Sequence, residues 1–398
     1  MPDREPIYLD YNATTPVDPR VLQAMLPYFS EVYGNPANGL HRQGRLAARA
    51  VDEARERVAD LIGAQPHEII FTAGATESNN LAIEGLTRRA DSGLPTSPRR
   101  RIVTTAVEHK AVLEPCRRLG REGWDVVVLP VDGDGVVDLV AAAEAIDDNT
   151  LLVSVQAANN EIGTIQPVAI IAALAHARGA LVHCDAAQAV GKVAVDVAAL
   201  DVDLLSVSAH KLYGPKGIGL LYVRGGPRWL PLEPLSLGGG QEAGLRSGTS
   251  NVPGIVGFGQ ACALAQVALP EEGARLAGLR DQLEELLVNH VPKLAINGRA
   301  APRLPNTSSA IFPNTDADAL LLNLPDLMLG TGSACTSGAV EPSHVLQAMG
   351  VSREAAYGTV RVSLGRYTQP DDVVTAVALM REAWLAVREG YLEPAREQ

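Results

Sequence analysis

The sequence predicts an α/β protein in which a large domain with a mostly parallel central sheet is joined to a smaller α+β domain. From about residue 66 to 225, short β-branched runs alternate with helix-like stretches, which is typical of βαβ units and a parallel sheet. After residue 253 the pattern changes to long helices followed by short strands. The chain has 398 residues, which suggests two domains at the ordinary size of roughly 100–200 residues each.

The individual elements follow from this alternation. The strands predicted for the large sheet are 68–71, 101–104, 125–129, 151–155, 180–183, 203–207 and, antiparallel to its neighbours, 217–223. The helices predicted between them are 79–89, 111–122, 139–146 and 167–178. The later part of the chain has predicted helices at 254–267, 274–288 and 371–388 and predicted strands at 308–312 and 360–364. We expect a large domain of residues 16–260 and a small one of residues 1–15 and 261–398.

The composition argues against several classes of function. The formal net charge of −12 disfavours binding to nucleic acid phosphates. No apolar run approaches the roughly 20 residues that span a bilayer, and no signal-peptide core follows the first charges. The four cysteines are far apart, which argues against a zinc site or a disulfide framework. We therefore expect a protein of the reducing cytoplasm that binds neither nucleic acid nor membrane.

Polar side chains follow five of the predicted strands at the point where each strand ends. The segments are 72–79, 108–110, 158–163, 184–188 and 208–211. Ligands of open α/β sheets bind where the carboxyl ends of the strands and their loops converge. We therefore expect these segments to line one crevice.

Two segments are suited to binding an anion. Gly74-Ala75-Thr76 is a tight turn before a helix, where backbone N–H groups attract phosphate. Arg246-Ser247-Gly248-Thr249 is a second compact cluster of donors. Each could instead be an ordinary turn, with Thr76 as a helix cap. The glycines at 238–240 lack the strand and helix of a dinucleotide-binding fingerprint.

Asp185 ends an apolar strand, so it is expected to be buried and to need a cationic partner. A protonated pyridine nitrogen would serve, and a salt bridge to a nearby Arg or Lys is the alternative. A metal site that includes His183 is disfavoured because no third ligand stands at metal-like spacing.

Lys211 directly follows the end of another buried strand. An apolar crevice disfavours the charged ammonium and so favours the neutral amine that forms Schiff bases. Lys216 in the same loop is an alternative, as is an ordinary lysine at a loop edge. His109 could be a surface histidine and Asn159-Asn160 an ordinary turn pair, but their place at strand ends favours a functional role.

Cys335 lies among glycines and hydroxyl side chains rather than in an apolar segment. This setting favours an exposed, mobile loop and a reactive thiol. Cys116, Cys184 and Cys262 have helix or strand neighbours and are interpreted as core residues.

Eight segments carry a family resemblance when they are taken together. They are Tyr8-Leu-Asp-Tyr-Asn-Ala-Thr-Thr-Pro, Ala73-Gly-Ala-Thr-Glu-Ser-Asn-Asn, Glu108-His-Lys, Asn159-Asn-Glu-Ile-Gly, Asp185-Ala-Ala-Gln, Ser208-Ala-His-Lys, Arg246-Ser-Gly-Thr and Gly332-Ser-Ala-Cys-Thr-Ser. In the order and spacing of these segments, from about Ile7 to Tyr367, the chain resembles the cysteine desulfurases of the class V aminotransferase superfamily. The resemblance implies the type I pyridoxal-phosphate fold and a homodimer.

The resemblance also implies how pyridoxal phosphate would be bound. Lys211 would carry it as a Schiff base, Asp185 would pair with the pyridine nitrogen, and His109 would stack on the ring and help to move protons. Gln188 and Asn160 would address the ring hydroxyl. The residues implied for the phosphate are Ala75, Thr76, Ser208, His210 and, from the other subunit, Thr249.

The implied reaction converts L-cysteine to L-alanine and leaves the sulfur on Cys335 as a persulfide. Lys211, His109 and Cys335 would be catalytic, and Arg361 with Asn160 would bind the substrate, Arg361 holding its carboxylate with a bidentate guanidinium. No resident metal is implied, although Cys335 could transiently ligate an iron–sulfur cluster. The sulfur acceptor would be a protein such as an iron–sulfur scaffold, and iron–sulfur assembly, tRNA thiolation and nitrogenase maturation are all compatible with such a site.

Two other functions are weighed against this one. An aminotransferase or selenocysteine lyase could use the same scaffold, but an aminotransferase has no need of Cys335. A non-catalytic binding protein could keep the fold, but it would not require Lys211, Asp185, His109 and Cys335 together.

Overall fold

The computed structural model describes residues 6–91, 99–331 and 342–392. Its strands are β1 Ile7–Tyr8, β2 Ile69–Thr72, β3 Arg101–Thr105, β4 Asp125–Leu129, β5 Thr150–Ser154, β6 Leu181–Asp185, β7 Leu204–Ser208, β8 Gly219–Val223, β9 Ala295–Ile296, β10 Thr307–Ile311, β11 Leu327–Met328, β12 Gly330–Thr331 and β13 Thr359–Ser363. Its α-helices are α1 Pro19–Met25, α2 Pro27–Ser30, α3 Arg42–Ile62, α4 Ala75–Asp91, α5 Lys110–Arg121, α6 Leu139–Ala145, α7 Val168–Ala177, α8 Val197–Leu200, α9 Val252–His290, α10 Ala317–Leu322, α11 His344–Ala348, α12 Arg353–Tyr357 and α13 Pro370–Leu392.

The largest sheet has seven strands in the order β2-β8-β7-β6-β5-β3-β4. Strands β7, β6, β5, β3 and β4 pair in parallel, whereas β8 is antiparallel to both β2 and β7. The predicted parallel sheet and the antiparallel strand at 217–223 are therefore confirmed. Strands β5, β7 and β8 are buried along their whole length, as expected for strands covered on both faces.

Helix α4 begins at Ala75, four residues earlier than predicted. Apolar periodicity starts only at Leu81, because the first turn of the helix carries polar side chains that face the ligand crevice and the sheet. Ser78 and Asn79 in that turn are fully buried. The start at Ala75 places a helix N-terminus directly at the end of β2.

Helix α9 is one continuous helix of 39 residues, where two helices were predicted. The prediction of two separate helices was wrong. Pro270 lies inside α9 but does not end it, because packing holds both halves of the helix in place. Phe258 belongs to the core of the large sheet, whereas Leu283 belongs to the core of the second sheet. By length and composition alone α9 could cross a membrane, but 56% of its most apolar 18-residue stretch is buried inside the protein.

A second, antiparallel sheet has the order β12-β13-β10-β9, and β1 pairs in parallel with β11 beside it. Ile7 and Leu9 share one apolar core with residues of α9, α10 and α13. The N-terminal strand therefore packs with the late part of the chain, as expected. The domain boundaries at 15 and 260 stay predictions.

Candidate active site

A cavity of about 980 Å³ lies at the carboxyl ends of the large sheet. Its lining includes most of the predicted site residues: Ala75, Thr76, His109, Asn160, Asp185, Gln188, Ser208, His210, Lys211 and Arg361. Convergence of strand ends into one crevice was the main expectation from the sequence, and the structure brings these residues together.

One end of the cavity is a cradle for an anion. The first-turn N–H groups of Ala75 and Thr76 have no intrahelical partners, because the preceding turn of helix does not exist. Gly74, just before the helix, has φ +149°, a conformation that residues with a side chain rarely adopt, and its Cα faces Ser208 Oγ. His210 also lines the cavity, and its Nδ1 is hydrogen-bonded to Thr14 Oγ1 at 3.1 Å. Burial, reinforced by the charges of Lys211, Lys216 and Lys192, lowers the pKa of His210 to about 4, so its ring is neutral at pH 7.

Asp185 lies at the floor of the cavity and is buried. Its Oδ2 accepts a hydrogen bond from Asn79 Nδ2 at 2.7 Å, and its Oδ1 accepts from the Ala187 N–H at 3.0 Å. In the described part of the chain no Arg or Lys forms an ion pair with it, so the alternative of an internal salt bridge is not found there. The oxygen of the Asn79 amide, Oδ1, is buried without a hydrogen-bond partner among the described residues.

Lys211 stands in the cavity at the end of a single 3-10 turn, Ala209–Lys211, that follows β7. Its Nζ donates to the backbone carbonyls of Asn12 and Ala13. Lys216 lines the same cavity, so position alone does not separate the two lysines. The bonds to Asn12 and Ala13 hold the Lys211 amine at the side of the cavity formed by the N-terminal segment.

His109 is the N-cap residue of α5, and its Nδ1 accepts a hydrogen bond from the Ala111 N–H at 3.1 Å. An acceptor at Nδ1 means that the neutral ring carries its proton on Nε2. The residue before it, Glu108, is fully buried and accepts from the Gln156 N–H at 2.9 Å and from Thr105 Oγ1 at 2.7 Å. Burial raises the pKa of Glu108 to about 8, so this carboxyl is largely protonated at pH 7.

Arg361 in β13 reaches the cavity from the second sheet. Its Nη2 donates to Asp10 Oδ1 at 2.7 Å and its Nη1 to the Asn160 carbonyl at 3.1 Å. Its Nε is buried and has no partner within the described residues. Gly330 makes room for this pair, since a Cβ there would come within 2.8 Å of both Arg361 Nη2 and Asp10 Oδ1.

Two predicted residues are absent from the described lining of this cavity, for different reasons. Thr249 is exposed on the segment before α9 and does not belong to the described lining. Cys335 lies in residues 332–341, outside the described residues, so its predicted position is not tested. The described part resumes at Pro342, and Ser343 Oγ donates to Glu161 Oε2 in a buried contact.

Several cavity residues were not singled out from the sequence. They are Asn12, Asn79, Gln156 and, just behind the lining, Lys192. Asn12 lies in the family-like segment that starts at Tyr8, and Asn79 lies in the one that starts at Ala73. Both positions could have been proposed from those segments, whereas Lys192 has no signal in the sequence that marks it.

The comparisons with known proteins agree with this geometry. The sequence model of the family "Aminotransferase class-V" matches residues 7–375. A protein named cysteine desulfurase IscS from Anaeromyxobacter dehalogenans is 46% identical over 384 residues, which cover 96% of this chain and 94% of that protein.

Solved structures agree in the fold. A NifS-like protein superposes with a TM-score of 0.86 at 40% identity, over 95% of this chain and 98% of that one. A structure described as SspA in complex with cysteine superposes with a TM-score of 0.79 at 39% identity, over 91% of this chain and 99% of that one. This chain therefore belongs to the class-V aminotransferase family of pyridoxal-phosphate enzymes, among its cysteine desulfurases.

Proposed function

We propose that the protein converts L-cysteine to L-alanine and passes the sulfur to Cys335. The observation that carries the proposal is that Lys211 and the buried Asp185 share one cavity with His109 and Arg361. A Schiff-base lysine, a partner for a ring cation, a proton carrier and a carboxylate-binding guanidinium are the groups that amino acid chemistry on this cofactor requires. The relatives named cysteine desulfurases support the choice of cysteine as substrate.

The residues present fit pyridoxal phosphate. Asp185 is a buried carboxylate that accepts hydrogen bonds from two neutral N–H donors and pairs with no Arg or Lys in the described part of the chain, which suits a protonated pyridine nitrogen. The helix N-terminus at Ala75 and Thr76 suits the phosphate. When bound, the cofactor supplies an electron sink that allows bonds at the α-carbon of an amino acid to break.

The protein's own side chains would bind and orient the substrate. The guanidinium of Arg361 lines the cavity and is held in place by Asp10 and by the Asn160 carbonyl, so it presents a fixed positive charge to a substrate carboxylate there. His109 is held at Nδ1 by the start of α5, so the proton-carrying Nε2 is the atom that can exchange protons in the cavity.

The chain after residue 341 is anchored beside the site. Ser343 contacts Glu161, and His344 Nε2 donates to the Glu108 carbonyl at 2.9 Å. These two anchors adjoin Asn160 and His109, which line the cavity. They support delivery of Cys335, eight residues before Ser343 in the sequence, to the substrate sulfur.

We further propose that the protein is a homodimer. The segment 19–40 leaves several large apolar side chains exposed, namely Leu22, Leu26, Phe29, Tyr33 and Leu40. An exposed cluster of large apolar side chains on one segment is typical of a protein–protein interface. A second copy would cover it and would let Thr249 reach the partner's phosphate cradle. Leu26→Asp with Phe29→Asp should yield monomers in light scattering, and a dimer that persists would contradict this proposal.

We also propose that the protein is cytoplasmic. We propose that it passes its sulfur to an acceptor protein, such as an iron–sulfur scaffold or a tRNA-thiolation partner. The described cysteines, Cys116, Cys184 and Cys262, are buried thiols without disulfides. Burial raises the pKa of Cys116 to about 12. Such inert thiols suit a reducing compartment and leave sulfur transfer to Cys335.

The proposal is tested by supplying cysteine to the holoprotein and to the Cys335→Ser variant while alanine is measured. The unsubstituted protein should form alanine, and Cys335→Ser should keep the visible band of the bound cofactor but form none. Alanine release by Cys335→Ser would remove the assigned role of Cys335, and formation of a keto acid instead would favour an aminotransferase.

The lysine assignment has its own test. Lys211→Ala should abolish the visible band, because no amine remains at the position that contacts Asn12 and Ala13. Lys216→Ala is the matched control and should keep the band. The opposite pattern would transfer the assignment to Lys216.

A further inference from the structure

Lys192 lies directly behind the cavity and turns its side chain back towards it. The chain reverses at Gly191, where φ is +81° and a Cβ would come within 2.8 Å of the Leu212 Cβ. The Lys192 amino group donates to Gln188 Oε1 and, at 2.9 Å, to Asn12 Oδ1. It therefore bonds to two amide side chains that themselves line the cavity.

These contacts decide the orientation of the Gln188 amide. The two ends of an amide have nearly the same shape but the opposite hydrogen-bonding sense. Because Lys192 donates to Oε1, the NH₂ group is the other end, and it gives one hydrogen to the Asn12 carbonyl at 2.9 Å. The second hydrogen of Nε2 is the one that the amide can give to an acceptor in the cavity.

Asn12 is held by the same amino group. Its Oδ1 accepts from Lys192 and, at 3.1 Å, from Asn306 Nδ2, while its own Nδ2 donates to Thr307 Oγ1 at 2.9 Å. The backbone carbonyl of Asn12 accepts from Lys211. The position of the proposed Schiff-base lysine and the orientation of Gln188 thus depend on one network.

The charge of Lys192 is not balanced by a carboxylate within the described residues. The titratable groups that act on it are Lys211 and Arg361, and Arg361 is itself paired with Asp10. Burial, followed by these two cations, lowers the pKa of Lys192 well below its usual value. An enclosed amine without an anionic partner costs stability, so packing alone does not account for it.

We propose that Lys192 is a positioning residue, which orients the Gln188 amide so that its NH₂ group faces the ring oxygen of bound pyridoxal phosphate. The inference rests on the cofactor assignment made above. A donor at this oxygen stabilises its anionic form. It therefore lowers the pH at which the lysine-bound cofactor loses its proton.

The test is the pH titration of the visible absorption band in the holoprotein. Lys192→Met removes the donor to Gln188 Oε1 and lets the amide rotate, so the titration should move to higher pH by about one unit, which is the strength of one hydrogen bond to a charged group. Lys293→Met, which removes an exposed lysine between α9 and β9, is the control and should titrate like the unsubstituted protein.

The Gln188→Met background separates positioning from a simple effect of charge. If Lys192 acts through Gln188, adding Lys192→Met to Gln188→Met changes the titration little. An equal shift in both backgrounds, or no shift in either, would overturn the proposal. Should Lys192→Met fail to fold, Lys192→Gln is the second variant, because its amide keeps a donor for Gln188 Oε1. Its visible band should titrate close to that of the unsubstituted protein. A shift of a full unit in Lys192→Gln would contradict the positioning role of Lys192. Alanine release is measured separately, so the desulfurase proposal does not depend on this outcome.

Discussion

Asn79 holds Asp185 in place, with its Nδ2 donating to Asp185 Oδ2 at 2.7 Å in a buried contact. The bond joins the first turn of α4 to the end of β6, and so it links the phosphate cradle to the floor of the cavity. A carboxylate that is fixed before the cofactor arrives needs no reorganisation on binding.

Asn79→Ala should weaken binding of pyridoxal phosphate about tenfold or more, because a hydrogen bond to a charged group contributes about 1.5–3 kcal/mol. Titration of the apoprotein with the cofactor, followed by the visible band, measures the dissociation constant. Asn323→Ala is the control, since the Asn323 amide bonds to a carbonyl on an exposed helix. Equal affinity of Asn79→Ala and the control would contradict the role of Asn79.

The segment that carries Thr249 is fixed by a half-buried ion pair. Glu242 accepts from Arg55 Nη1 and Nη2 at 2.9 and 2.8 Å and from the Phe71 N–H at 2.9 Å. Glu242 and Ala243 have φ of +47° and +56°, which is a conformation that costs energy for residues other than glycine. The ion pair therefore stabilises a strained turn.

Glu242→Ala should lower the free energy of unfolding by about 3 kcal/mol, since it leaves the Arg55 charge without its partner. The exposed pair of Arg49 with Glu53 provides the matched control, and Glu53→Ala should cost about 0.5 kcal/mol or less. Urea unfolding of the two variants under identical conditions measures both. Similar losses would show that Glu242 has no special structural role.

The buried carboxyl of Glu108 predicts a pH dependence of stability. Burial raises the pKa of Glu108 from 4.5 in the unfolded chain to about 8 in the folded protein. The folded state therefore binds the proton more tightly, and the stability that this contributes is complete below pH 4.5 and is lost as the pH rises towards 8.

Glu108→Gln should flatten the fall in unfolding free energy between these pH values. Denaturation at a series of pH values measures the slope for each protein. Glu114→Gln on the exposed face of α5 serves as the control and should keep the slope. A steep slope that survives in Glu108→Gln would mean that other groups cause it, Glu161 first among them because burial raises its pKa to about 7.

Substitution of Gly330 should affect substrate binding rather than folding. Gly330→Ala would place a Cβ within 2.8 Å of the Arg361–Asp10 pair, and the displaced guanidinium should raise KM for cysteine about tenfold with a smaller change in kcat. Gly278→Ala, where a Cβ meets nothing within 4 Å, is the control. An unchanged KM would argue that Arg361 does not bind the substrate carboxylate.

The sequence could predict the features that depend on the order of strands, helices and polar residues along the chain. Strands were recognisable from their β-branched runs, and the convergence of Asp185 and Lys211 followed from the rule that parallel strand ends meet. The continuity of α9 could not be predicted, because Pro270 breaks local periodicity and only packing against two cores overrides it. The contacts of Asn79 and Lys192 depend on side-chain directions in three dimensions, which no spacing encodes.

The most direct test of the central claim is to locate the sulfur after one turnover. Holoprotein is given cysteine labelled with heavy sulfur, alanine is quantified, and the protein is digested for mass spectrometry without reduction. We predict one labelled sulfur on the peptide that contains Cys335 for each alanine formed. Label on Cys116, Cys184 or Cys262, or alanine formed without protein-bound sulfur, would contradict a desulfurase that works through Cys335.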